Sequence, residues 1–289
     1  MISVTAAIQQ IAACRTNWGT EQLLPEQAIG RVLSEALATL EGKKLLDAGT
    51  RINFQHMALL VSEGIGTVRV HRPPRVTVLN QGQEVANNYT LTALLEQYTI
   101  QPVVNERVSV QPVALEGAIK EGLETDLLVI CGEEGVHKIL QELEVEQVFH
   151  KVRAKPFKSF WLGYSPTKTR VMVLPSNTFG VQVGGKLFLE SYIRACWQLP
   201  ALKPWLLPFT ENRSAVNALD EFVPAAMVNK NGLKIRGLHF PKNAELAAAA
   251  HADGFICHST DAGSLEPGSL VPFYPWVDPF SPPPVNGSH

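Results

Sequence analysis

Four short polar loops, each beside an apolar run, carry the groups in this chain best suited to hold an anion. They are Leu79-Asn-Gln-Gly-Gln-Glu84, Ile130-Cys-Gly-Glu-Glu-Gly135, Ala154-Lys-Pro-Phe-Lys-Ser159 and Val173-Leu-Pro-Ser-Asn-Thr178. In an open α/β sheet, ligands bind beyond the carboxyl ends of the strands, so four such loops in order describe one rim. Lys155 and Lys158 are candidate ligands for phosphate or another oxyanion, although paired surface lysines are also commonplace. Gly82, Gly132 and Gly135 allow close backbone approach. Asn87, Ser176 and Asn177, with Pro175 fixing the turn, add neutral hydrogen-bonding groups. Glu84 is either a working carboxylate or a solvated loop residue.

The rest of the composition narrows the class. With 289 residues, 45% of them hydrophobic and 18% charged, the chain can build two or three cores. A net charge of -2, with basic residues scattered, argues against nucleic acid as a partner. No apolar run approaches a membrane span, and the start lacks a signal-peptide plan, so a cytoplasmic protein is expected. Cys14, Cys131, Cys196 and Cys257 lie far apart without a CxxC pair, which suggests free thiols. The eight histidines show no paired metal spacing, so no metal site is expected. GxSxG, Walker and GxGxxG patterns are absent.

Ser3 should cap a first helix, Pro25–Gly42 should form a second with an apolar stripe from Ile29 to Leu40, and Asn53 should cap a third. Thr67–Val70 reads as a strand. From Arg75 strands and helices alternate, the signature of a mostly parallel sheet with crossover helices. Leu127–Cys131 has the composition of a strand buried on both faces. Phe160–Tyr164 and Arg170–Leu174 read as a hairpin, followed by a long helix from Phe179 to Leu199. Pro200, Pro204 and Pro208 mark a linker into a small mostly-β unit with one Ala-rich helix, Ala244–Ala252. The expected division is a mainly helical unit at 1–73, an α/β unit at 74–205, a β unit at 206–278, and an extended Pro-rich tail at 279–289.

Several segments in fixed order resemble the MoeA family, the molybdopterin molybdotransferases that include the gephyrin E domain. They are Met1-Ile-Ser-Val4, Ala28-Ile-Gly-Arg-Val-Leu33, Asp47-Ala-Gly-Thr-Arg-Ile52, Gly64-Ile-Gly-Thr-Val-Arg-Val70, Gly254-Phe-Ile256 and Leu265-Glu-Pro-Gly268. Each is short; their collinearity over most of the chain is what makes the resemblance specific. It implies a MogA-like α/β core, a homodimer, and chemistry in which molybdate is inserted into adenylated molybdopterin with release of AMP, helped by Mg2+. It also implies catalytic roles for Glu84, Lys155 and Lys158. Ligand contacts would come from Gly82, Asn87, Gly132, Glu133, Glu134, Gly135, Pro175, Ser176 and Asn177.

The departures bear on whether transfer survives. The family's inserted β-rich domain is missing between Gly42 and Lys43, and the Pro25–Gly42 helix is expected to absorb the junction. Gln83 stands at the family's aspartate in the first loop, and Val110 and Gln111 align with its paired aspartates. Asn243 stands at a family serine, while Leu219 or Asp220 and Pro224 stand at family arginines. Glu133 and Glu134 replace a Gly/Ser loop that closes on the pterin phosphate. A like-charge pair at ~4 Å costs on the order of several kcal/mol at an effective dielectric near 20. The resemblance therefore points to a MoeA-like protein of molybdenum cofactor metabolism with a degenerate site, handling molybdopterin or adenylated molybdopterin. An active molybdotransferase and a non-catalytic interaction scaffold are the alternatives.

Overall fold

The computed structural model describes residues 1–277 apart from Leu40, Gln83, Glu84, Lys230, Asn231 and 239–244. Glu84, Asn243 and the Pro279–His289 tail, all singled out above, lie outside the described residues. Ser3 opens α1 (Val4–Ala13), its Oγ accepting from the Ala6 N–H at 3.2 Å. Val4, Ala7 and Ile11, at helical spacing, enter the main core. There follow β1 (Thr20–Leu23), the short strands β2 (Leu37–Ala38) and β3 (Lys44–Leu46), α2 (Phe54–Ser62) and β4 (Val68–His71). β1 pairs with β4 and β2 with β3, all antiparallel, over a separate core of Ala28, Leu33, Ile52, Leu60 and Val70. The expected cap of α2 is present: Asn53 leads it, and His56 Nδ1 accepts the Asn53 N–H at 3.1 Å.

The helix expected over Pro25–Gly42 does not form. Only Pro25–Gln27 makes a single 3-10 turn. Gly30 adopts φ +82°, which interrupts any right-handed helix, and its N–H donates to Ile52 O at 2.8 Å. Val32 and Leu33 then bridge to Arg51 and Val70, so backbone pairing with distant segments overrides the apolar period. The end of that segment and the residues after it instead form the β2–β3 hairpin, where the Thr39 N–H donates to Lys43 O at 2.9 Å and Gly42 takes φ +84°.

The central layer runs β5 (Val76–Gln81), α3 (Ala86–Glu96), β6 (Val104–Val108), α4 (Pro112–Gly122), β7 (Leu127–Cys131), α5 (Val136–Glu142), β8 (Glu146–His150), β9 (Ala154–Lys155), β10 (Trp161–Tyr164) and β11 (Arg170–Leu174). It continues through α6 (Thr178–Gly184), a π-helical segment over Gly185–Leu189 and α7 (Glu190–Cys196). Sheet order is β6-β5-β7-β11-β10-β8. The first four strands are parallel; β10 runs against them and pairs antiparallel with both β11 and the edge strand β8. Every residue of β5 and β7 is buried, as sandwiching between two helical layers requires. The four cysteines are free thiols, and burial raises those of Cys131, Cys196 and Cys257.

The last unit comprises β12 (Trp205–Pro208), β13 (Asp220–Asn229), β14 (Leu233–Gly237), α8 (Glu245–Ala250), β15 (Gly254–His258) and β16 (Leu270–Pro275), with sheet order β12-β16-β15-β13-β14. The end of the proline-punctuated stretch is thus a strand, β12, paired with β16. β9 adds to this sheet, Ala154 opposite Asp220 and Lys155 opposite Glu221, and so carries the third polar loop into contact with the second sheet. Gly254 is required by packing, since a Cβ there would sit 2.1 Å from Tyr274 O. Gly254→Ala is expected to cost about 3 kcal/mol or more, read as a lower urea midpoint. An unchanged midpoint would contradict this packing.

Candidate functional site

The strand registers bring the four loops to one edge of the central sheet. Gln81, Cys131 and Leu174 end the parallel strands β5, β7 and β11 there. β10 runs the other way, Trp161 lying opposite Val173, so the loop before it reaches the same edge. Gly82, Gly132–Gly135, the 154–159 loop, Pro175, Ser176 and Asn177 are therefore neighbours around one rim.

Side chains tie these loops into a closed circuit. Buried Asn87 donates from Nδ2 to Asn80 Oδ1 at 3.1 Å and to Ser176 O at 2.8 Å, joining the first loop to the last. Asn177 caps α6, its Oδ1 accepting the Gly180 N–H at 2.6 Å, while its Nδ2 contacts Pro156 O at 3.5 Å. The Ser159 hydroxyl donates to the Glu133 carboxylate. Gln81 closes the circuit as a two-pronged amide clamp, Nε2 donating to Glu134 O at 2.5 Å and Oε1 accepting the Glu134 N–H at 3.0 Å. Gly132 has φ +113°, and a Cβ there would lie 2.6 Å from that of Gln81, so the clamp requires glycine.

This arrangement changes the meaning of the two glutamates. Glu133 is partly buried and engaged with Ser159, whereas the Glu134 side chain is exposed. It is the Glu134 backbone, one of the N–H groups that a phosphate-binding loop would offer, that the clamp occupies. The repulsion expected from a pair of cleft carboxylates thus reduces to Glu133. Glu134→Gly should leave sulfate affinity within about twofold, because an exposed charge is screened. Calorimetric titration checks this, and a tenfold gain would contradict the placement.

Between the rim and the second sheet lies a cavity of about 280 Å³. Lys155, Arg213 and Glu221 supply its charges, and Pro156, Phe179 and Phe222 are among its apolar walls. The guanidinium of Arg213 is fixed: Nε donates to His258 Nδ1 at 3.1 Å, and Nη2 meets Glu221 Oε2 at 2.7 Å. Because arginine can only donate, His258 accepts at Nδ1 and gives its Nε2 proton to Gly263 O at 2.7 Å. Glu221 Oε1 lies 3.6 Å from Lys155 Nζ. Among the described residues, two cations against one carboxylate make the cavity attractive to an anion, and its aromatic walls suit a flat ring.

Of the other candidates, Lys158 is exposed, and its carbonyl accepts the Val152 N–H at 2.9 Å. Val110 is exposed, and Gln111 precedes α4 without capping it through its side chain. Pro224 lines the cavity, whereas Leu219 is not among the residues lining it. Sequence reasoning missed Gln81, Arg213, Glu221 and His258. Nothing in the local pattern marks Arg213, which reaches the cavity from outside the positions where the resemblance expected arginine. Gln81 was legible in principle as the polar end of an apolar strand.

No family model matches the chain. Among curated proteins it is 25% identical over 262 residues to the molybdopterin molybdenumtransferase of Synechocystis, covering 81% of this chain and 64% of that protein. Another molybdopterin molybdenumtransferase, from Nostoc, is 27% identical over 196 residues, covering 60% of this chain and 44% of that protein. This chain thus spans less than two thirds of the length of either relative. Among solved structures, the molybdopterin biosynthesis MoeA protein of Pyrococcus horikoshii superposes with a TM-score of 0.82 at 15% identity, covering 96% of this chain and all of that one. A molybdenum cofactor biosynthesis protein from Pyrococcus furiosus gives 0.76 at 20% identity, with 95% and full coverage.

Proposed function

We propose that this chain, MoeA-like in sequence and in fold, acts in molybdenum cofactor biosynthesis by binding a phosphorylated pterin of the molybdopterin class, with molybdate transfer weak or lost. The observation that carries the reading is the pairing of a cationic, aromatic-walled cavity with a rim whose loops are tied to one another by side-chain hydrogen bonds. Lys155 and Arg213 would hold the anionic group, with Lys158 adding positive potential from the surface. Asn177, Ser176, Pro175, Gly82, Asn87 and the Gly132–Gly135 loop shape the rim. Glu84, which lies outside the described residues, keeps the role the resemblance gives it as part of this proposal. Adenylated molybdopterin is the expected form of the ligand.

The family's Mg2+ does not fit the described rim. Among the described residues no three histidine, cysteine, aspartate or glutamate side chains cluster as ligands. Glu133 is engaged by Ser159 and Glu221 by Arg213. A divalent cation bridging phosphate needs carboxylates that are free to coordinate. The described groups can therefore position an anion through Lys155 and Arg213, but among the described residues no carboxylate cluster is set to hold a divalent cation for the transfer step. This is why binding is proposed ahead of turnover.

The units 1–73, 74–205 and 206–278 are our proposed domain division. We expect a cytoplasmic protein; no helix among the described residues is long and apolar enough to cross a membrane. A homodimer is the proposed assembly, and light scattering at micromolar concentration tests it, with a monodisperse monomer counting against it. The scaffold reading has one observation in its favour: Phe54 and Val61 on α2 are 83% and 69% exposed. Titration of molybdopterin, adenylated molybdopterin and molybdate into wild type and Lys155→Ala separates the readings. Saturable pterin binding weakened by the substitution supports the proposal, and no binding by any of the three supports the scaffold.

A further inference from the structure

At the outer end of the rim, the His137 and His150 rings lie against each other, with centroids 4.6 Å apart and planes tilted by 35°. His137 also meets the ring of Trp161 edge-on at 6.2 Å, and its Nε2 is buried without a hydrogen-bond partner. His137 belongs to the first turn of α5, four residues after Glu133, and His150 ends β8. The two imidazoles therefore sit beside the carboxylate that ties the second rim loop to Ser159 of the third.

We propose that this pair is a proton-operated latch. Adding a proton to the stacked imidazoles draws the Glu133 carboxylate away from Ser159 and unties the second loop from the third. In the neutral state the two imidazoles can lie against each other without charge repulsion. A cation there needs a counter-charge, and Glu133 is the carboxylate whose field reaches both rings. Lys151 opposes protonation of either ring, and the N-terminal ammonium opposes it at His150. Lys138 on the same helix is exposed and paired with Glu142 at 3.7 Å. From β10 the facing group is the uncharged Trp161 ring.

Geometry fixes what moves, and electrostatics fixes the direction. Burial, the largest influence, holds both histidines below their ordinary value of 6.5. They are thus neutral near neutrality, and the latch is closed. The unfolded chain binds protons more readily than the folded pair does, so this contribution to stability is present above 6.5 and is lost as pH falls through the depressed values. The two rings titrate as a coupled unit rather than as separate sites. Opening would release the 156–160 segment that carries Lys158, whose closed form is reported by the Val152 N–H to Lys158 O and Phe160 N–H to Phe157 O bonds at 2.9 and 3.1 Å.

The latch is a property of the free protein and stands apart from which ligand the cavity takes. Its test is amide hydrogen exchange at Val152 and Phe160, corrected for intrinsic chemistry, with the imidazoles followed by nitrogen-detected NMR between about pH 5 and pH 8. In wild type, exchange should quicken about tenfold or more as the pair becomes protonated. Ser159→Ala should exchange fast at every pH while its histidines still titrate. His137→Gln should lose the step, and His150→Gln serves as the second variant if that protein is unfolded. A wild-type exchange profile that stays flat while both imidazoles titrate overturns the proposal. So does a full step retained in either histidine variant.

Discussion

Glu190→Ala is expected to lower folding stability by about 3–5 kcal/mol, the largest effect of any single change to a polar side chain in this fold. Glu190 is 1% exposed and sits between two equally buried cations of the same helical run. Its carboxylate lies 2.8 Å from Lys186 Nζ and 3.3 Å from Arg194 Nη1, and it accepts the Tyr98 hydroxyl at 2.7 Å. Burial and the neighbouring carboxylate together push the Tyr98 phenol up, so it serves as a donor. Removing the carboxylate leaves two desolvated cations without their shared partner, which is far costlier than losing a surface pair. Urea unfolding measures the loss, and a change below about 1 kcal/mol would show that the group is solvated in solution. The effect would reach the rim because α6, which Asn177 caps, runs through the π-helical segment into this cluster.

Arg213→Gln is expected to weaken binding of AMP or a pterin phosphate by about 30-fold to 100-fold, the equivalent of one or two charge-assisted hydrogen bonds. The substitution removes the fixed cation of the cavity and leaves Glu221 facing the ligand with Lys155 alone. Arg213→Lys restores charge without the planar fork, and recovery of only part of the affinity would show that geometry contributes as well as charge. Calorimetric titration, with thermal melts to verify folding, reads both variants. Unchanged affinity in Arg213→Gln would place the anion elsewhere on the rim.

The layered core was legible in the sequence because its signals are local and redundant. Leu127–Cys131 is apolar throughout, as a strand covered on both faces must be, and Ser3 and Asn53 stand immediately before helical stripes. The Pro25–Gly42 segment misled because the apolar residues Ile29, Val32, Leu33, Ala36 and Leu37 fit a helix as well as they fit irregular strands. The choice was made by partners at Arg51, Ile52 and Val70, and by the left-handed conformation of Gly30. Positions on the rim could be read from loop order, but their bonding could not. Glu133 and Glu134 look alike in sequence; one reaches Ser159 and the other turns to solvent, a difference set by the Gln81 clamp across the sheet. Arg213 was invisible for a similar reason, since its partners His258 and Glu221 come from separate strands of a different sheet.

The central claim is that a pterin-class anion binds without efficient transfer. It is tested by supplying adenylated molybdopterin and molybdate, and following ligand binding and AMP release in the same samples. The Synechocystis molybdopterin molybdenumtransferase, assayed in parallel, provides the reference rate. The account predicts saturable binding, with AMP release slower than the reference by about 10³-fold or more, as expected when groups that stabilise the transfer state are missing. Release at the reference rate would contradict the degenerate site, and failure to bind the adenylated pterin at all would contradict the assignment itself.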